Sequence, residues 1–250
     1  MSGSPAIAVF VVDLRASRAA LEADERATPR LSAEDVARFH HKAQALGEDD
    51  ARDWRVTHIA LRIILERATG DALRGVAFDR AAGGRPRLPR SLGLTQYPEF
   101  SLAHAGAVAM IAISHHGTIG VDIEVPRDIR MPEERRARII GAATRLAPRL
   151  RLPDDTDARL LQSWVRLEAI AKATGLGIGR ILAEAGVVGG HKAGHENADL
   201  SYDVGVADLA LGPDRFAALA APHLPQNIDI QAFPVDAAAL AAFKTLMPSN

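Results

Sequence analysis

The chain has 250 residues and a mass of 26.7 kDa, room for one large domain or two smaller lobes. Hydrophobic residues make up 48% and charged residues 24%, an average globular balance that excludes a disordered or fibrous chain. Cysteine is absent, which excludes a disulfide framework, a thiolate metal site and a cysteine nucleophile. A net charge of −1 argues against nucleic-acid binding through bulk charge.

Ile7 to Val12 is a short apolar run that stops at Asp13 and reads as a buried strand. It has no basic n-region and is far too short to cross a bilayer, so a cytoplasmic protein without a membrane role is expected. Ser32 before Glu34-Asp35 is an N-cap with acids in the first turn, and predicts a helix to Leu46, stopped by Gly47. A second helix is predicted from Asp50 to Thr69, with Val56, Ile59, Ile63 and Ile64 on its apolar side and Gly70 as its stop. A strand at Arg74–Phe78, a Gly/Pro/Arg-rich loop at residues 81–87, and strands at Phe100–Leu102 and Ala107–Ser114 follow.

The second half repeats this order loosely. Ile119–Val125 reads as a strand, Pro132–Leu146 and Asp157–Ala173 as helices. Leu200–Val206, Arg215–Ala221 and Ile228–Phe233 read as strands before an Ala-rich terminal helix. Trp54 and Trp164 each fall in the second helix of their half. The expectation is an α+β protein of two similar lobes, residues 1–116 and 117–250, each with a small antiparallel sheet packed against helices. The plain alternative is one α+β domain whose element order repeats by chance.

Four local features could carry chemistry. In Gly120-Val121-Asp122-Ile123-Glu124 the alternation of a strand turns Val121 and Ile123 to the core and Gly120, Asp122 and Glu124 to the other face. The two carboxylates then lie about 6.6–6.8 Å apart along the strand. Such a pair gains from a nearby cation, and hard oxygen ligands favour Mg²⁺, Mn²⁺ or Ca²⁺. Gly120 would leave room for a ligand to approach the backbone. An amphipathic strand with a wet acidic face is the bland alternative. In Trp164-Val165-Arg166-Leu167-Glu168-Ala169-Ile170-Ala171-Lys172, the residues Trp164, Glu168 and Lys172 share one helical stripe. Lys172 is one of only four lysines, with Lys42, Lys192 and Lys244. An exposed Glu–Lys pair would explain this spacing equally well. His104, among the small residues of Phe100 to Gly106, could meet a phosphate oxygen or act as an acid, or be structural. Arg85 in Gly84-Arg85-Pro86 could hold a phosphate, or decorate a solvated turn. His191 and His195, four apart but amid glycines, read as a loop and not as a helical zinc pair.

In this order the four features resemble the 4′-phosphopantetheinyl transferase superfamily, in its large single-chain class with two pseudo-symmetric lobes. That family shows a Gly-Lys-Pro loop, a Phe-Asn-x-Ser-His-x-Gly segment, a Gly-(Val/Ile)-Asp-(Ile/Val)-Glu strand and a Trp-x-x-Lys-Glu-x-x-x-Lys helix. The resemblance covers about residues 30 to 180. It implies Mg²⁺-dependent transfer of the phosphopantetheine arm of coenzyme A to a serine of an acyl or peptidyl carrier protein, with release of adenosine 3′,5′-bisphosphate. It implies a monomeric enzyme with its active site where the lobes meet. It also implies roles. Asp122, Glu124 and Glu168 would bind the metal, and Glu124 or Glu168 would take the serine proton. Lys172 would meet the pyrophosphate, while His104, Arg85 and Arg52 would hold phosphates of coenzyme A.

There are departures. Leu167 stands where the family usually has lysine, and Ser101 and Ala103 replace Asn and Ser. Arg85 replaces lysine with its charge kept, and the family's early-helix arginine aligns with Asp53, between Arg52 and Arg55. Arg127 to Arg151 holds eight arginines against Asp128, Glu133 and Glu134, a basic segment suited to steering an acidic carrier protein. No aromatics interleave these arginines, which disfavours a nucleic-acid surface. Two other functions fit the same residues: a non-catalytic carrier-binding module of the family, and an unrelated metal-dependent phosphohydrolase using Asp122, Glu124 and Glu168.

Overall fold

The computed structural model describes residues 7–70, 72–81, 84–188 and 201–245. They form two compact units. The first gathers Met1–Arg80, Pro86–His116 and Asn227–Asn250; the second gathers Ala81–Arg85 and Gly117–Gln226.

The first unit is built on β1 (Ile7–Asp13), whose apolar run places it inside a four-stranded sheet. Asp13 ends the strand and at once starts α1 (Leu14–Ala27), its carboxylate accepting from the amides of Arg15 and Ala16 at 3.0 and 2.9 Å. Ser32 and Asp35 form a reciprocal capping box on α2 (Ala33–Leu46), and α3 (Glu48–Thr69) ends at left-handed Gly70. Two-residue strands β2 (Asp79–Arg80) and β3 (Pro86–Arg87) pair with each other. The hairpin β4 (Glu99–Ala105) and β5 (Val108–Ser114) lies against β1, with β5 antiparallel to it.

The predicted strand at Arg74–Phe78 does not form. Arg62, fully buried on α3, ion-pairs with Asp35 and donates to the carbonyls of Leu73 and Val76 at 3.2 and 2.8 Å. Those carbonyls serve a guanidinium, not a ladder, and Gly75 turns the chain at φ +66°.

The second unit has a three-stranded antiparallel sheet in the order β6, β8, β7, formed by β6 (Gly120–Glu124), β7 (Gly205–Asp208) and β8 (Phe216–Ala221). Helices α4 (Glu133–Leu146), α5 (Thr156–Thr174) and α6 (Ile178–Glu184) accompany it. Ile139, Ala142, Leu160, Val165, Ile170, Ala218 and Ala220 belong to one buried cluster. Arg166 on α5 is fully buried and grips Asp208 of β7 through both carboxylate oxygens, at 2.9 and 2.6 Å.

The chain then returns. β9 (Asp229–Ala232) pairs in parallel with β1, and α7 (Ala237–Thr245) places Leu240 and Phe243 in the core of the first unit. The first sheet is therefore mixed, in the order β4, β5, β1, β9, and not wholly antiparallel as the sequence suggested. The predicted strand from Leu200 forms only over Gly205–Asp208; Leu200 itself, like His191 and His195, lies outside the described residues.

Candidate active site

β6 and α5 meet through small residues. A Cβ at Gly120 would stand 2.0 Å from the Ala169 carbonyl oxygen and 2.5 Å from the Ala173 nitrogen. The space expected there for a ligand is taken by the helix backbone. The second face of β6, expected to be wet, is likewise covered: Asp122 is buried, and only Glu124 at the strand end is half-buried. Pairing of Gly120 with Ala220 and of Asp122 with Ala218 continues the small-residue surface onto β8.

That close contact sets the register between the two motifs. Trp164, Glu168 and Lys172 all lie half-buried along α5, the stripe that their spacing predicted. Lys172 Nζ donates to Asp122 Oδ1 at 2.8 Å and to the Val121 carbonyl at 2.9 Å. Residues fifty positions apart in the chain are thereby joined across the strand and helix. An exposed i,i+4 Glu–Lys pair, the simpler reading of this helix, does not describe Lys172.

The three carboxylates sense one another. Burial raises the Glu168 carboxyl above its ordinary range; the charges of Asp122 and Glu124 push it further up, and Lys172 offsets part of this. Burial also raises Glu124, with Asp122 adding to the rise while Arg127 and Lys172 oppose it. Arg127 Nη2 donates to Glu124 Oε1 at 2.9 Å. Sequence reading placed Arg127 in the basic segment and not in this pair; the signal for the pair is the i,i+3 spacing just past the strand end. Among the described residues no group of three or more acidic or histidine side chains is gathered closely enough to hold a metal ion. As placed, Asp122 and Glu124 are each held by a side-chain cation.

Arg85 belongs to the same compact unit as this cluster, while His104 and Arg52 belong to the first unit. His104 is exposed on β4. Its charge helps to push the His58 imidazole of α3 down to about 4, an effect led by burial. Arg52 is exposed on α3; Asp53 beside it pairs with Arg18 at 2.7 Å, and the Arg55 guanidinium lies over the Phe39 ring. Asp53, aligned with the family's arginine, thus serves an internal ion pair.

The basic segment is partly spent inside the fold. Arg136 is buried and bonded to Asp157 and the Ile129 carbonyl, Arg138 pairs with Glu134, and Arg145 donates to the Ala185 carbonyl. Arg130, Arg135, Arg149 and Arg151 are exposed. Leu167, the apolar departure on α5, is wholly buried in the core of its unit. Among the described residues no helix is long and apolar enough to cross a membrane.

Comparison with known proteins agrees with the motif reading. No family model matches the chain. Over 153 residues the chain is 29% identical to a protein of Synechocystis sp. (strain ATCC 27184 / PCC 6803 / Kazusa) named "Putative 4'-phosphopantetheinyl transferase slr0495". The match covers 59% of this chain and 58% of that relative's length. This similarity supports the resemblance to the 4′-phosphopantetheinyl transferase superfamily.

Proposed function

We propose that the protein transfers the 4′-phosphopantetheine arm of coenzyme A to a serine hydroxyl of an acyl or peptidyl carrier protein, with Mg²⁺ as cofactor. The observation that carries this reading is the Lys172–Asp122 contact at 2.8 Å, with Glu124 and Glu168 in electrostatic reach. It joins the two most specific motifs of the family resemblance in one cluster. The likeness to the Synechocystis protein supports the same reading.

By donor type the cluster suits a hard divalent cation, being three carboxylates, two of them raised partly by mutual repulsion, in a chain without cysteine; as placed, they are not gathered closely enough to hold one. Asp122, Glu124 and Glu168 would hold it. When bound, it would withdraw negative charge from the pyrophosphate of coenzyme A.

The chain's own residues do the rest. The carrier serine oxygen bonds to the phosphorus that carries pantetheine, and the bond from that phosphorus to the bridging oxygen of the leaving nucleotide breaks. Glu168 or Glu124, directly or through a water, takes the serine proton; a carboxylate raised by burial is the stronger base. Lys172 neutralises charge on the pyrophosphate as it divides, and the leaving group departs as adenosine 3′,5′-bisphosphate. Arg85, His104 and Arg52 would bind phosphates of coenzyme A. The exposed arginines 130, 135, 149 and 151 would steer an acidic carrier. Leu167 belongs to the core, so its departure from the family pattern is a packing choice and does not favour an inactive module.

The test is mass spectrometry of apo carrier proteins incubated with the protein, coenzyme A and Mg²⁺. A gain of one phosphopantetheine arm is expected. Phosphate release from small phosphoesters without any carrier would favour the phosphohydrolase. Carrier binding without transfer would favour the inactive module.

A further inference from the structure

We infer that α2 is a detachable strap: charge fastens it to α3 in place of apolar burial, and it lifts off as one piece, from Ser32 to Gly47, while the rest of the first unit stays folded. This holds whether or not the chain is a transferase.

α2 spans 14 residues, and its one buried residue is a carboxylate, Asp35. No residue of α2 belongs to the apolar cluster of its unit. Val36 and Leu46 are instead 44% and 59% exposed. α3 differs, sending Val56, Ile59, Ile63 and Ile64 into that cluster. What holds α2 is polar. One oxygen, Asp35 Oδ2, accepts from Arg62 Nε at 3.0 Å, from the Ser32 amide at 3.1 Å and from Ser32 Oγ at 3.0 Å. The atom that caps the helix also docks it, so the two are lost together. Farther along, the Arg55 guanidinium lies 5.5 Å from the centre of the Phe39 ring, and Lys42 Nζ lies 6.0 Å from that of Trp54. Glu34 reaches Arg80 of β2 at 3.6 Å, with both side chains exposed. Contacts of this kind hold weakly beside apolar burial.

The strap has defined ends. On one side Arg30 is buried and tied to Asp24 and Glu66 at 2.7 and 2.6 Å, and Glu25 accepts from the amides of Arg30 and Leu31. On the other a single residue, Gly47, joins α2 to α3 at φ +99°, and a Cβ there would meet nothing within 4 Å. A helix of this length without tertiary support is marginal in water, so lifting and melting coincide. Lifting parts Arg62 from Asp35 and Trp54 from Lys42, and so uncovers one face of α3 on which His58 stands between them at helical spacing.

Native-state hydrogen exchange on the full chain tests this. In the wild type, α2 amides should exchange at least about a hundredfold faster than those of Ile59–Ile64. Mild urea should hardly change the α2 rate, because little apolar surface opens. Ile64 lies in the cluster that excludes α2. Ile64→Val should therefore speed exchange in α3 about three- to tenfold and leave α2 within about twofold. Asp35→Asn should speed α2 exchange at least about tenfold; where that variant does not fold, Phe39→Ala should speed it about threefold or more. Equal α2 and α3 rates in the wild type, or equal acceleration of both by Ile64→Val, would mean that α2 leaves only when the unit unfolds, and overturns the inference. So does an α2 rate that neither Asp35→Asn nor Phe39→Ala raises.

Discussion

Leu167 and Glu168 are neighbours on α5 with opposite surroundings, one wholly buried and one half-exposed. Against the family pattern the leucine is a lost cation; in the fold it is a core residue, as its apolar helical position implies. Glu168 and Lys172 were legible through their helical spacing, and Asp122 through strand alternation. Arg127 was read only as part of the basic segment and not as a partner of Glu124, because that grip depends on how the chain bends after the strand. His58 was also hidden. It stacks on Trp54 at 3.8 Å, and burial pushes the ring down to about 4 against an ordinary 6.5, although its Nδ1, 2.8 Å from the Trp54 carbonyl, works against the fall. A folded-state value below the unfolded one means stability that is present above about pH 6.5 and lost as pH falls toward about 4. The full cost is about 2–3 kcal/mol, trimmed by the ring's remaining solvent contact. His58→Phe keeps the stack and removes the titration. Urea unfolding at pH 7.5 and pH 4 should show the variant losing about 2 kcal/mol less than the wild type; equal losses would assign the acid sensitivity elsewhere.

At the scale of elements, the sequence indicated where chains turn and stop better than what covers each face. Gly47, Gly70 and the Ser32 cap mark helix ends where residue chemistry alone demands them. α1 went unread because its cap, Asp13, also ends a strand. The strand expected at Arg74–Phe78 failed because a buried arginine on α3 claims the carbonyl of Val76 within it and that of Leu73 just before it. On β6 the alternation of apolar and acidic residues suggested one wet face, yet α5 lies on that face and leaves only the strand end accessible. Gly120 is therefore a packing glycine. Gly120→Ala must push α5 away from β6, costing about 3 kcal/mol or more, at the upper end of overpacking penalties. Chemical denaturation measures that loss, and transfer activity should fall with it because Lys172 is carried off Asp122. A variant with wild-type stability would show that α5 gives way without cost.

Across the whole molecule, sequence order and spatial order part company at residue 227. The strand–helix pattern divided the chain into consecutive halves, but β9 completes the first sheet beside β1 and α7 supplies its core. Parallel pairing between chain ends leaves no local signal: the strand reads the same whichever sheet receives it. Phe243 packs edge-on against Phe10 at 5.8 Å and lies 5.3 Å from Phe233. Phe243→Ala should cost about 3–4 kcal/mol in urea unfolding, as for a buried aromatic elsewhere in a core; a loss under about 1 kcal/mol would show the terminal helix to be dispensable.

The cluster of Asp122, Glu124, Glu168 and Lys172 is the centre of the functional account. Its most direct test is the single-turnover rate at which the full chain loads an apo carrier protein from coenzyme A and Mg²⁺, compared between wild type and Asp122→Asn. Loading by the wild type is expected, with a fall of about a thousandfold or more in the variant, the scale seen when a key charge-stabilising group is removed. A variant rate within about tenfold of wild type would contradict it.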